Sequence, residues 1–291
     1  MRRSILLRVW NQRQPKLFWL IFACTLCLLA LLSPHTSVPA LAQASSSPSQ
    51  HRELLPEAQV HPLPTTLAAW KAAEAGDYFS EIEPTPVGYL IWSNFPVTVF
   101  VEPIEESTSD RHASPPFLTP LAEQSQSWVE AVTQAIQDWQ VYLPLELVET
   151  PDTADIAIWR SVPPLQALIP QKQQSEGSDS NPSARGIDLP RARSAETRYY
   201  LFVDRSGHFP GVLSHRFTIQ LSPNQTFDYV QAAARHELGH ALGIWGHSPL
   251  ETDALYFAQV RYPPVISRRD INTLKRIYEQ PTQIGWSVRQ P

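Results

Sequence analysis

The sequence predicts an α/β (α+β) domain built on a mixed sheet, and three observations carry that prediction. Short β-branched and aromatic runs stand on both sides of one long amphipathic pattern, the spacing expected when a helix crosses over a sheet. Two later segments carry helix start and stop signals of their own. No internal repeat divides the 291 residues, and the hydrophobic and charged fractions, 43% and 18%, are those of a globular chain.

The elements follow in order. Tyr89-Leu90-Ile91-Trp92 and Val97-Thr98-Val99-Phe100-Val101 read as strands, with Pro96 at a strand start and Pro103 closing. Trp128, Val132, Ala135, Ile136, Trp139 and Tyr142 or Leu143 then recur at steps of three and four, the buried stripe of a helix that Pro144 stops. Leu145–Val148 and Asp155–Trp159 are short strands; Tyr199–Val203 and Phe217–Leu221 resume that character around a turn at Ser206-Gly207. A second helix starts near Thr226 or Phe227, takes Asp228 into its first turn where negative charge is favoured, and ends at Gly243. The last helix opens at Ser267, an N-cap with Asp270 three residues on, and buries Ile271, Leu274, Ile277 and Tyr278 before Pro281.

The ends of the chain differ in character. Arg2, Arg3, Arg8, Arg13 and Lys16 precede an apolar run from Leu17 to Leu32, and Ala40-Leu41-Ala42-Gln43-Ala44 offers an A-x-A cleavage site. Residues 1–44 therefore read as a signal peptide; left uncleaved, they would form an N-terminal anchor with the basic end in the cytoplasm, the one route to a membrane partner. Either way the expected location is outside the cytoplasm: periplasmic, extracellular or attached to the cell envelope. Both cysteines, Cys24 and Cys27, lie in the apolar run, which excludes a disulfide framework, a catalytic cysteine and a cysteine zinc site from the mature chain. Removing the five positive charges of the leader takes the formal net charge from −5 to −10, so a nucleic acid is not the expected partner. Residues 45–87, rich in Ser, Pro, Gln and Glu, read as a disordered linker or pro-region with one helical piece near Leu67–Ala75. Residues 88–280 form the expected domain, with a solvated, flexible insertion at 165–194, and 281–291 a tail.

The chemistry is concentrated in His236-Glu237-Leu238-Gly239-His240-Ala241-Leu242-Gly243. Two histidines four residues apart project from one helix face, so their imidazoles can meet a single metal ion. Glu237 beside that face is placed to act as general base on water at the metal. A catalytic zinc takes three protein ligands. Gly243 lets the chain turn back, and His247 arrives seven residues after His240 as the third; Asp253 and Glu251 are the alternatives.

The pattern His236-Glu237-x-x-His240-x-x-Gly243-x-x-x-His247-Ser248 resembles the metzincin zinc metalloproteases, most closely the matrixin-like branch. Trp92-Ser93-Asn94-Phe95-Pro96-Val97-Thr98-Val99 is similar to the first strand of that catalytic domain, Ala154-Asp155-Ile156-Ala157-Ile158 to its third, and Asp253-Ala254-Leu255-Tyr256 to the turn beneath its metal. The resemblance implies a twisted, mixed five-stranded sheet with a long helix, an active-site helix and a small C-terminal helical part. It further implies a Zn2+ ion on His236, His240 and His247, and a peptide or protein substrate extended along a sheet edge from Tyr199–Val203 or Phe217–Leu221. Peptide hydrolysis would use water activated at the metal, with Glu237 as base.

Three departures stand out. The third histidine comes one residue later than in that family, a length expected to be absorbed at Gly246 through unusual dihedrals. Tyr256 stands where the family's turn carries methionine, as a packing residue or one that reaches the metal. No cysteine remains in the mature chain to cap the metal. These departures motivate a second reading, a zinc-binding but proteolytically inactive exported interaction domain; a third takes Glu279 as a late glutamate ligand. His208 and His215 read as turn or surface histidines or substrate contacts, Trp245 as a packing anchor, and Arg235 as a solvated helix residue.

Overall fold

The computed structural model describes residues 55–71, 74–104, 120–164, 193–207 and 209–289. The leader, both cysteines, most of the 165–194 insertion and His208 lie outside the described residues. Five strands form one mixed sheet: β1 (Val97–Val101), β2 (Leu145–Val148), β3 (Ile156–Trp159), β4 (Ala195–Asp204) and β5 (Val212–Leu221), in the order β2-β1-β3-β5-β4. The first four positions in that order run parallel, and β4 closes the edge antiparallel to β5 in a ten-residue ladder from Ala195–Leu221 to Asp204–Val212. Among the described residues four α-helices accompany the sheet: α1 (Thr65–Ala69), α2 (Pro120–Gln140), α3 (Phe227–Ala241) and α4 (Arg268–Tyr278).

The period of each sequence pattern accounts for the core. On α2 the predicted stripe of Trp128, Val132, Ala135, Ile136 and Trp139 is buried, and it meets Val97, Val99, Ile156, Ile158, Phe217 and Ile219 of the sheet in one apolar cluster. β5 alternates strictly, with Leu213, His215, Phe217, Ile219 and Leu221 all inward. At the start of α4 the Ser267–Asp270 capping box forms in both directions, as the sequence predicts.

Some expectations fail. Tyr89–Trp92 is no strand. Leu90, Ile91 and Trp92 are consecutively buried, and a run buried on every side serves as a plug between the helices; Trp92 Nε1 donates to Ala241 O of α3 at 2.9 Å, and the Tyr278 hydroxyl of α4 accepts from Trp92 N. Phe217–Leu221 is no sheet edge, because β5 is paired on both sides.

The domain also extends past both expected boundaries. Leu67, Tyr78, Ile82 and Val87 are buried, so the described part of the supposed linker belongs to the core, each such apolar side chain contributing about 2 kcal/mol. The supposed tail buries Thr282, Ile284 and Val288. The two segments pair with each other: Gln59 and Thr282 exchange backbone hydrogen bonds of 3.0 and 2.9 Å, and His61 stacks on Trp286 at 4.3 Å. Composition alone misreads these stretches because a few well-spaced apolar anchors among Pro and Ser suffice to dock them.

Candidate metal centre

α3 carries the site because its two faces are chemically different. Val230, Ala234, Leu238 and Ala241 are buried in the core, and a Cβ at position 239 would lie 2.6 Å from Leu255 Cδ2 and 3.1 Å from Trp139, so any larger residue there would displace Leu255. The other face presents His236 and His240, one turn apart, with ring centroids 4.7 Å apart. Leu242 caps the helix, and Gly243 follows at φ +131°, a backbone conformation that favours glycine. The chain reverses there and brings the His247 ring to 5.3 Å from His236 and 4.9 Å from His240. One ligand nitrogen from each of the three lies within 4.8 Å of the others.

The hydrogen bonds around the first two rings leave their metal-facing nitrogens bare. His236 Nδ1 donates to Ala254 O at 2.9 Å and His240 Nδ1 to Ile244 O at 2.7 Å. In the neutral form of either ring the single N–H is then at Nδ1 and Nε2 carries a lone pair; the two Nε2 atoms face each other at 3.1 Å. Burial, and then the neighbouring His236, push the His240 pKa well below its usual value, so that ring stays neutral. The His247 ring is open to solvent on its outer side; its partial burial against the group and the proximity of His236 bring it down to about 4. Three imidazoles, each with a ring nitrogen within 4.8 Å of the others, form a group that could hold a divalent cation.

Glu237 lies one residue along. It is buried, and burial raises its carboxyl above the usual range despite the opposing effects of His236 and of a hydrogen bond from Thr197. That bond is short, Thr197 Oγ1 to Glu237 Oε2 at 2.5 Å, and comes from edge strand β4. The group opens into a cleft of about 1110 Å³ bounded by the start of β4, by α3 and by the chain from Asp253 to Pro264. Tyr256 and Trp245 line it, Trp245 also packing edge-on against Tyr199 at 5.1 Å.

A buried polar knot supports the floor. Ser248 Oγ donates to Asp253 Oδ2 at 2.5 Å, and Arg269 Nε donates to the same oxygen at 3.0 Å. Asp270 accepts from the Tyr78 hydroxyl at 2.6 Å and from Ala254 N at 2.9 Å. Ala254 is thus fixed on one side by Asp270 while its carbonyl holds His236.

Of the residues singled out in the sequence, His236, His240 and His247 come together with Glu237 beside them. Asp253 is committed to Ser248 and Arg269, Glu251 is exposed, and neither is in the cluster among the described residues. Glu279 is exposed at the end of α4 and lies outside it too. Gly246, where the extra loop residue was expected to be absorbed, has no positive φ. His215 is a core residue, stacked on Trp92 at 4.1 Å and lowered by burial to about 3. Its place was legible, since it is in phase with Leu213, Phe217 and Ile219. Arg235 is buried rather than solvated; it donates to Asp138 of α2 at 2.7 and 2.9 Å and to Pro264 O at 2.8 Å, tying α3 to the cleft wall. Thr197 and Tyr78 carry no sequence signal, because their partners lie 40 and 192 residues away.

No protein-family model matches the chain, and no curated protein matches it.

Proposed function

We propose that the chain is a zinc-dependent endopeptidase of the metzincin type, nearest the matrixin-like branch. The observation that carries this reading is the convergence of three imidazoles at the floor of a cleft beside a buried carboxylate. His236, His240 and His247 would hold the ion. Zinc, when bound, would supply a Lewis acid that polarises a peptide carbonyl and lowers the pKa of water so that its deprotonated form can attack. Glu237 would take a proton from the attacking water and return it to the leaving nitrogen, and burial raises its carboxyl in the direction that favours holding that proton between the two steps. Thr197 occupies one carboxylate oxygen and so leaves the other for this exchange.

The element order fits the resemblance: a twisted sheet with a long helix, then the helix of the site, then a small C-terminal helical part. An extended substrate would pair with β4, whose outer edge has no strand beside it among the described residues. Its side chains would meet a largely apolar wall of Phe257, Val260, Pro263 and Pro264 facing Ala232 and Ala233. The leader supports an exported enzyme. Among the described residues no helix is long and apolar enough to cross a membrane.

A second reading, a metal-binding domain without proteolytic activity, draws on Tyr256 in place of methionine and on the lengthened ligand loop. Zinc content and peptide cleavage, measured on the chain from residue 45 and on its Glu237→Ala form, separate the two. Zinc in both with cleavage only by the unsubstituted chain supports the peptidase. Zinc in both with cleavage by neither supports the inactive domain.

A further inference from the structure

The extra residue between Gly243 and His247 has a specific neighbour. Gly246 makes an antiparallel backbone bridge with Ile82, from the segment that composition assigns to a linker. A Cβ at position 246 would lie 2.6 Å from the Glu81 carbonyl oxygen and 2.8 Å from Ile82 Cδ1. The glycine is therefore demanded by space, since its φ lies outside the left-handed region.

Glu81 and Ile82 are themselves anchored. Just upstream, Tyr78 donates its N–H to Thr273 Oγ1 at 3.0 Å and its hydroxyl to the buried Asp270. Asp77 is ion-paired to Arg276 at 2.8 Å, and the Arg276 guanidinium lies 4.5 Å over the Phe79 ring. Ile82 itself is buried. On the far side of the ligand, Ser248 donates its N–H to Leu255 O at 2.8 Å and its hydroxyl to Asp253. His247 thus hangs between two fixed residues. Unlike His236 and His240, its ring makes no hydrogen bond to the protein among the described residues, so the backbone on either side decides where its nitrogen points.

We propose that Phe79–Ile82 is an abutment for Gly246 that sets the reach of His247, making the segment before residue 88 a working part of the metal centre. The inference rests on the metal-binding half of the function proposed above and not on peptide hydrolysis. It also means that this segment cannot be excised as a pro-region without weakening metal retention.

A double-substitution cycle read by zinc affinity tests it, with zinc competed against a chromophoric chelator and the chain from residue 45 as parent. Gly246→Ala should weaken zinc binding at least tenfold, the loss typical when a ligand's support is removed. In the His247→Ala background the same substitution should change affinity less than twofold, because the ligand it displaces is already gone. Should circular dichroism show that Gly246→Ala does not fold, Ile82→Ala carries the same cycle, with a smaller loss in the parent and none in His247→Ala. A folded Gly246→Ala or Ile82→Ala chain that binds zinc like its parent overturns the proposal, as does an equal loss in both backgrounds. A parent that takes up no zinc, or that binds it undiminished as His247→Ala, overturns the metal reading as well, and these controls tell that failure apart.

Discussion

Asp270 and Glu237 are both carboxylates buried in the same domain and both raised by that burial, yet their surroundings differ. Asp270 accepts hydrogen bonds from the Tyr78 hydroxyl and from the N–H groups of Ala254 and Ser267, which ties the upstream segment, the floor turn and α4 together. Among the described residues Glu237 takes a single side-chain donor, Thr197, and it lines a cleft in front of three imidazoles. A buried acid whose acceptors are filled is structural. One left partly unfilled, at the mouth of a cleft, is a candidate for a chemical role.

The sharpest way to break this comparison is to neutralise both acids. Glu237→Gln should lower peptide cleavage by about 10²–10⁴-fold, the usual contribution of a general base, with zinc content unchanged. The melting temperature of the zinc-free Glu237→Gln chain should equal or exceed its parent's, since a costly buried carboxylate has been removed. Asp270→Ala should do the reverse. It strands two buried donors and one partly buried donor, so a loss of about 3 kcal/mol or more is expected, roughly 6–12 °C by calorimetry. If both substitutions move stability in the same direction, the distinction drawn here is wrong.

Thr197 offers a finer cut. Its hydrogen bond goes to a charged group, so Thr197→Val should cut kcat on the order of tenfold while KM stays within about twofold; Thr197→Ser, which keeps the hydroxyl, should restore it. Equal rates in the valine and serine forms would show that the hydroxyl does not position the base.

How much of this was legible in the sequence depended on the range of the interactions. The helical period placed α2 and α3, the Ser267–Asp270 spacing placed the start of α4, and the i, i+4 histidines with Gly243 placed the ligands, because each signal lies within one or two turns of chain. Tyr78 with Asp270, Ile82 with Gly246 and Thr197 with Glu237 depend on how distant segments meet, and no local pattern encodes that. His215 lies between these cases. Its alternation with Phe217 and Ile219 marks a core position, but a titratable side chain invites a surface reading.

That buried histidine supplies the smallest effect. In the folded chain its pKa is about 3, against about 6.5 when unfolded, so between those values the unfolded state binds the extra proton. Stability is therefore lost as the pH falls from about 6.5 toward 3, at up to about 1.4 kcal/mol per pH unit from this one group. His215→Phe, which can still pack on Trp92, should flatten the acid slope of urea unfolding in zinc-free protein relative to the parent. An unchanged slope would mean that His215 is not held neutral by burial.

The central claim is that one metal ion is shared by His236, His240 and His247. Zinc-edge X-ray absorption on the chain from residue 45, together with its His247→Ala form, addresses it directly. The expected result is one zinc per chain with three imidazole nitrogens at about 2.0–2.1 Å, falling to two on loss of His247. A parent spectrum with two or fewer imidazoles, or a chain that holds no stoichiometric zinc, would contradict it.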